Sequence, residues 1–151
     1  MPANTSPIFA LTPNVSSVKI TTTAALVRSD GSAANAIGTD QFLAFTAGAN
    51  GSFVQRVRFL AVASTPTNSV ATTLRAFLST VNTGTPTTSN TNLLAEISVP
   101  IIAASNATSA TNYYEIPLNM AIPTGTYILV SQHTAQTTNQ SWQATVFGGD
   151  Y

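Results

Sequence analysis

Nowhere in this sequence do apolar side chains recur at the spacing of about 3.6 residues that would mark one face of a helix. They come instead in short segments in which apolar and polar positions tend to alternate, and turn-forming residues close each segment. These segments predict strands near 15–28, 41–46, 52–63, 70–81, 93–99, 112–119, 126–133 and 141–147. Asp30-Gly31, Asn50-Gly51, Pro66 and the pair Pro123 and Gly125 supply turns between them. "NTGTPTTSNTN" and "AASNATSATN" are longer polar loops. Each strand has one apolar face that must find a second sheet, so the pattern predicts an all-β, antiparallel β-sandwich. Eight strands with two long loops fit a jelly roll best. Ahead of them, Pro2, Pro7 and Pro13 surround Ile8, Phe9 and Leu11. Prolines withhold donors and oppose pairing, so residues 1–12 are expected to form an extended arm before a single domain at 13–151.

Composition supports the same class. Thr, Ala, Ser and Asn make up almost half the chain, whereas Glu and Lys, the staple of exposed helices, are nearly absent. β-Branched Thr suits a pleated surface, and Ser and Asn close turns through their own side chains. Regular apolar segments and a full complement of Phe and Tyr argue against disorder. Five basic and five acidic residues leave a net charge of zero, which offers neither nucleic acid nor an anionic membrane an electrostatic footprint. No basic stretch followed by a long apolar run opens the chain, and no segment approaches the roughly 18 apolar residues of a membrane helix. The absence of cysteine removes disulfides and thiolate metal sites.

Catalytic chemistry finds little to work with. His133, the single histidine, follows Ser131 and Gln132 where an apolar strand turns polar, and reads as a strand-end surface residue. A zinc site needs further ligands, and a general base needs an orienting partner. Asp30, Asp40, Glu96, Glu115 and Asp150 are scattered along the chain, and Asp30 is explained by its Asp-Gly turn. No Gly-x-Ser-x-Gly elbow or phosphate-binding loop occurs. No catalytic residue, cofactor or metal is therefore expected, and the chain reads as a non-enzyme. Trp142 alternates with Ala144 and Val146, an inward-facing row, while adjacent Tyr113 and Tyr114 must point to opposite faces of their strand.

One pair of strands carries most of the basic charge. If "FVQRVRFLAVA" and "VATTLRAFLSTV" form a hairpin, Val57 faces Ala76, Phe59 faces Leu74 and Gln55 faces Leu78 on one side. Arg56, Arg58 and Arg75 then share the other side, with Arg58 opposite Arg75. Like charges so placed require an intervening acid. Glu96 or Glu115 from a neighbouring strand supplies it in one reading, which makes the face an intramolecular ion-pair cluster. A carboxylate from a partner subunit supplies it in the other, which makes the face a subunit contact.

The segments "LRAFLSTVNTG", "NLLAEISVP", "YYEIPLNMAIPTGTYILVSQHTA" and "WQATVFGGDY" together resemble a widespread group of small structural proteins of tailed bacteriophages. The resemblance covers roughly residues 52–151. Arg75, Glu96, Glu115, Pro117, Leu118, Asn119, Pro123, Gly125, Trp142, Gly148, Gly149, Asp150 and Tyr151 occupy its matching positions, and the polar "HTAQTTNQSW" departs from it. It implies a virion component made in the bacterial cytoplasm, most simply a head decoration or cement protein. Such a protein is a jelly roll on the outer capsid surface, often a homotrimer, with the major capsid protein as its partner. Pro7, Ile8, Phe9, Arg56, Arg58, Arg75, Asp150 and Tyr151 are then the candidates for subunit or capsid contact. The alternative is a carbohydrate- or host-binding module on tail or capsid, which would use exposed loop aromatics such as Tyr113 or Tyr151.

The terminal Phe147-Gly148-Gly149-Asp150-Tyr151 follows a strand, with no helix after it and no lysine beside it, so a phosphate cradle is excluded. The glycines are expected to let the chain turn, so that Asp150 and Tyr151 leave the sheet edge. Asp150 would then anchor on an arginine of its own sandwich, or on an adjacent subunit.

Overall fold

A computed structural model describes residues 10–21, 28–105 and 113–151. Among them are ten strands and no helix: β1 (Thr12–Ile20), β2 (Phe42–Thr46), β3 (Ser52–Ala63), β4 (Thr67–Asn68), β5 (Thr72–Ser79), β6 (Thr91–Val99), β7 (Ala103–Ala104), β8 (Tyr113–Ile122), β9 (Tyr127–Gln132) and β10 (Gln140–Asp150). The long strands fall within a few residues of the segments that alternation and turn residues predict, except that β1 ends at Ile20 and not near residue 28. Phe9 and the residues before it lie outside the described residues, and Thr12, assigned to the arm, already pairs with Asp150 as the first residue of β1.

Two four-stranded antiparallel sheets form the sandwich, in the orders β1-β10-β3-β8 and β2-β9-β5-β6, with a small β4-β7 ribbon beside them. The chain changes sheet at each step between long strands except β5 to β6. Alternation along β10 buries Trp142, Ala144 and Val146 between the sheets, with Ile20 from β1 and Val54, Val57 and Phe59 from β3. The second sheet answers with Phe42 and Phe45 from β2, Leu74 and Ala76 from β5, and Ile128 and Val130 from β9. Tyr114 points inward and meets Trp142 edge-on, with ring centroids 6.0 Å apart.

The expected hairpin between β3 and β5 does not form: the two strands belong to opposite sheets. The connection between them is too firmly held elsewhere to act as a tight turn. Ser64 donates its N–H to the Asn139 carbonyl, the Thr137 hydroxyl donates to the Asn68 carbonyl, and β4 pairs with β7. Val57 and Phe59 thus lie across the core from Ala76 and Leu74 rather than beside them. Burial of both rows is satisfied either way, which is why periodicity alone does not choose.

The two sheets differ on their outer faces. Against β2-β9-β5-β6 the segment 31–41 packs a second, smaller core of Phe77 and Leu129 with Ala33, Ile37, Leu43, Leu93 and Tyr127. The segment is held by Ala33 N–H to the Pro86 carbonyl, by Ile37 N–H to Gly84, and by Gln41 Nε2 to Gly31. Asp40, 1% exposed, closes it by accepting from the backbone and side chain of Asn35. Covered on both faces, β9 reads as a continuous buried run from Ile128 to Gln132. Among the described residues no second buried apolar cluster lies on the outer face of β1-β10-β3-β8, and that face carries the candidate site.

Candidate interaction surface and the C-terminal lock

β3 contains a bulge that aims its arginines. Val54 and Arg56 pair with consecutive residues of β10, Gly148 and Phe147, leaving Gln55 as the extra residue. Strict alternation would send Arg56 to the same side as Val54; the bulge resets the phase, so that Val54 and Val57 are both buried while Arg56 and Arg58 both face outward. Gln55 is exposed with them, not inward with Val57 as the hairpin reading has it.

Arg58 stands directly across from Glu115 on β8, and its Nε donates to Glu115 Oε1 at 2.8 Å. Arg56 Nε lies 3.0 Å from the same oxygen, an ion pair without the angle of a hydrogen bond, while its Nη1 donates to Gln55 Oε1 at 2.6 Å. Both guanidinium groups lie on aromatic rings. Arg56 sits 4.4 Å and Arg58 5.2 Å from the centre of Phe147, and Arg58 sits 4.6 Å from Tyr113. Stacking of this kind holds the guanidinium planes in place and leaves their edges to donate.

Next to this cluster runs an apolar groove of about 490 Å³, lined by Ala10, Leu11, Pro13, Val15, Phe53, Gln55 and Phe147 to Gly149. Leu11 is 72% exposed, and Val15 and Tyr113 are each 58% exposed. With Leu60 they are all but one of the exposed large apolar residues among those described, and Ile101 is the exception. Their gathering on one sheet face is the informative observation, since scattered exposed apolar residues need no explanation.

Arg75 is elsewhere. It lies in the second sheet between Glu96 and Ser131, its Nε donating to Glu96 Oε2 at 2.8 Å and its Nη1 3.2 Å from His133 Nδ1. The expected juxtaposition of Arg58 with Arg75 is therefore corrected: each arginine faces its own glutamate on a different sheet. Both glutamates proposed as intervening acids are used, one per sheet. His133 is exposed at the end of β9, as its setting in the sequence predicts.

The C-terminal residues also depart from expectation. β10 continues through Asp150 and does not turn away at the glycines. Neighbouring atoms come close at both glycines: a Cβ on Gly148 would lie 2.5 Å from the Phe53 carbonyl oxygen, and one on Gly149 would lie 2.6 Å from Ala10 Cβ and 3.0 Å from the Thr12 carbonyl oxygen. Asp150 meets no arginine. Its carboxylate accepts from the Ser52 hydroxyl on β3, and Asn14 Nδ2 on β1 lies 3.0 Å from each of its oxygens. Ser52 Oγ also accepts from Gly48 N–H, and Asn14 Nδ2 reaches the Thr46 carbonyl at the end of β2. The hydrogen bonds from Ser52 and then Asn14 hold the Asp150 carboxyl below its usual value, against partial burial, which pushes it up. Tyr151 donates its N–H to the Gly51 carbonyl and accepts from Asn50 Nδ2.

Of the sequence candidates, Arg56 and Arg58 come together, Arg75 is separate, Asp150 and Tyr151 are held within the sandwich, and Pro7, Ile8 and Phe9 lie outside the described residues. The sequence reading missed Phe147, Phe53, Val15 and Tyr113 as members of the arginine face. Phe147 was within reach, because an inward row at Trp142, Ala144 and Val146 leaves it pointing outward. Among the described residues no group of three metal-ligating side chains occurs.

No family model matches the chain, and no curated protein matches its sequence. Among solved structures, one titled "Structure of infectious bursal disease virus Gx strain" is similar over 91% of this chain and 32% of that chain, at 12% sequence identity and a TM-score of 0.31. The chain spans about a third of that protein's length, and a likeness this distant carries no argument.

Proposed function

We propose that this chain is a virion structural protein of a tailed bacteriophage, a non-enzymatic head decoration protein that binds the outer capsid surface. The observation that supports it best is the difference between the two sheets: one has its outer face sealed by a second core, and the other presents aromatic-stacked arginines beside an apolar groove. A protein whose work is adhesion needs such a face and no reaction centre. The four-segment resemblance over residues 52–151 supplies the viral context. Counting the eight long strands alone, the orders first-eighth-third-sixth and second-seventh-fourth-fifth are those of two Greek keys wrapped as a jelly roll, and we read the sandwich as one. The capsid surface is then its location and the major capsid protein its partner. Adding purified protein to phage particles that lack it, followed by sedimentation, tests the role: saturable co-sedimentation with tailless heads is expected, and binding to tails alone would overturn it.

A second reading, a glycan-binding module, draws on the exposed ring of Tyr113. Arg58 lies over that ring 4.6 Å from its centre and occupies one of the two faces a sugar would stack on. Loss of glycan-array binding in Y113A would support the module, and a blank array with wild-type protein would remove it.

A further inference from the structure

We infer that the outer face of β1-β10-β3-β8 takes a segment of a different protein, one that presents a carboxylate side chain flanked by apolar residues, and not a second copy of this chain. The carboxylate docks on Arg56 and Arg58, and its apolar neighbours fill the groove beside Phe147. The inference deepens the proposed decoration role and rests on it only in naming the capsid surface as the source of that segment.

Charge is the first part of the case. Two guanidinium groups share one oxygen of one carboxylate, Glu115 Oε1, so the cluster carries an excess positive charge. No described residue hydrogen-bonds the Nη groups of Arg58, and Arg56 uses Nη1 on its neighbour Gln55. The side chains of Arg56, Arg58 and Glu115 are 29%, 37% and 31% exposed, so the cluster is half-dried before anything binds. Stacking on Phe147 and Tyr113 fixes the forks in advance, which lowers the ordering cost of accepting an anion.

The sequence has five carboxylate side chains, and the structure occupies each one. Glu115 is already within the cluster and Glu96 is bonded to Arg75. Asp40 is buried against Asn35, and Asp150 is held by Ser52 and Asn14. Asp30 accepts from both the N–H and the hydroxyl of Ser32 in its own turn. A second copy would therefore have to offer a carboxylate side chain that its own fold already hydrogen-bonds. Two copies meeting with the cluster on their two-fold axis would also set Arg56 and Arg58 against the same pair of the second copy, and like charges in a drying interface oppose association. The missing anion comes from another chain.

The groove adjoins the cluster. It shares Phe147 and Gln55 with the arginine cluster, so an acidic residue and its chain neighbours reach both at once. Leu11 and Val15 on its rim are exposed without any described partner, and covering them returns apolar area to the interface.

The test titrates isotopically labelled protein with the capped peptide Ac-Asp-Leu-Phe-NH2 and, in parallel, with Ac-Asn-Leu-Phe-NH2, read by NMR. The expected result is that the acidic peptide shifts the Arg56 and Arg58 Nε–H signals and the methyl groups of Leu11 and Val15. The amide peptide binds on the order of tenfold more weakly, the loss of one charge-assisted interaction. R56Q/R58Q abolishes the discrimination. L11S/V15S, at exposed positions where folding is safe, weakens both peptides alike. Equal binding of the two peptides, or shifts confined to the second sheet, overturns the inference. So does self-association in sedimentation velocity that L11S/V15S dissolves, because the occupant is then a second copy. Phage heads separate the two claims. Heads that bind wild-type protein and R56Q/R58Q equally remove this surface and leave the decoration role. Peptide discrimination with no binding to heads removes the role and leaves the surface.

Discussion

The Asp150 carboxylate accepts a hydrogen bond from the Ser52 hydroxyl on one neighbouring strand while Asn14, on the strand to its other side, donates to it as well. One side chain near the end of β10 thereby ties three strands of the first sheet, and through Asn14 and Thr46 it reaches the second. The terminal pattern is a lock within the sandwich.

Replacing Asp150 with Asn is expected to lower stability by on the order of 1 kcal/mol, a charge-assisted hydrogen bond discounted for partial exposure. The pH dependence has a definite sign. A folded-state pKa below the unfolded value of 3.8 means that the contribution is fully present above that value. It is lost as the pH falls through the lowered folded pKa. Thermal melts from neutral pH into acid should therefore show the gap between wild type and D150N narrowing once the pH falls below 3.8, and a gap that stays constant across that range would contradict the lock.

Gly148→Ala should cost more than Gly149→Ala. At Gly148 the new methyl meets the Phe53 carbonyl oxygen, a backbone atom inside the sheet, whereas at Gly149 the nearest atom is the Ala10 side chain, ahead of β1. Overpacking of this kind costs roughly 1–3 kcal/mol. Urea denaturation should rank the two variants in that order, and equal midpoints would mean that the close approach is not what holds these positions to glycine.

Removing Glu115 leaves two arginines side by side with no carboxylate. E115Q should be less stable than wild type at low salt and should recover in part as salt rises toward 1 M, because the screening length falls from about 10 Å at 0.1 M to about 3 Å at 1 M. A melting temperature independent of salt would show that Glu115 does not balance Arg56 and Arg58.

Phe77→Ala should be among the most damaging single changes, at about 3–5 kcal/mol, because it empties the small core under segment 31–41. That core lies on the face opposite the arginine cluster, so peptide binding by the folded fraction should be unchanged. Weakened binding by folded F77A would tie the two faces together.

Local features of the fold were legible because they are written in neighbouring residues. Alternation in "SWQATV" placed Trp142, Ala144 and Val146 inward, and the turn at Asn50-Gly51 marked the start of β3, whereas Asp30-Gly31 lies at the end of no strand among the described residues. Which strand lies beside β3 was not legible: Val57 and Phe59 are buried equally well beside β5 or across from it, and the choice rests on contacts made far along the chain by Thr137 and Asn139. The bulge at Gln55 left no signal in the spacing, although it is what brings Arg56 round to join Arg58. Glu96 and Glu115 were recognisable as the acids the arginines need, but their division between two sheets was not. Gly148 and Gly149 read as freedom to turn, whereas the sheet uses them for close approach, a distinction that depends on where Phe53 and Ala10 lie.

We propose the outer face of β1-β10-β3-β8 as the binding face of a capsid-decorating protein. Cryo-electron microscopy of phage heads reconstituted with the purified protein tests it most directly. Ordered density is expected on the capsid lattice, with Arg56, Arg58 and Phe147 turned toward the shell and segment 31–41 toward solvent. Density that contacts the shell through segment 31–41, or heads left bare while tails are labelled, would contradict it.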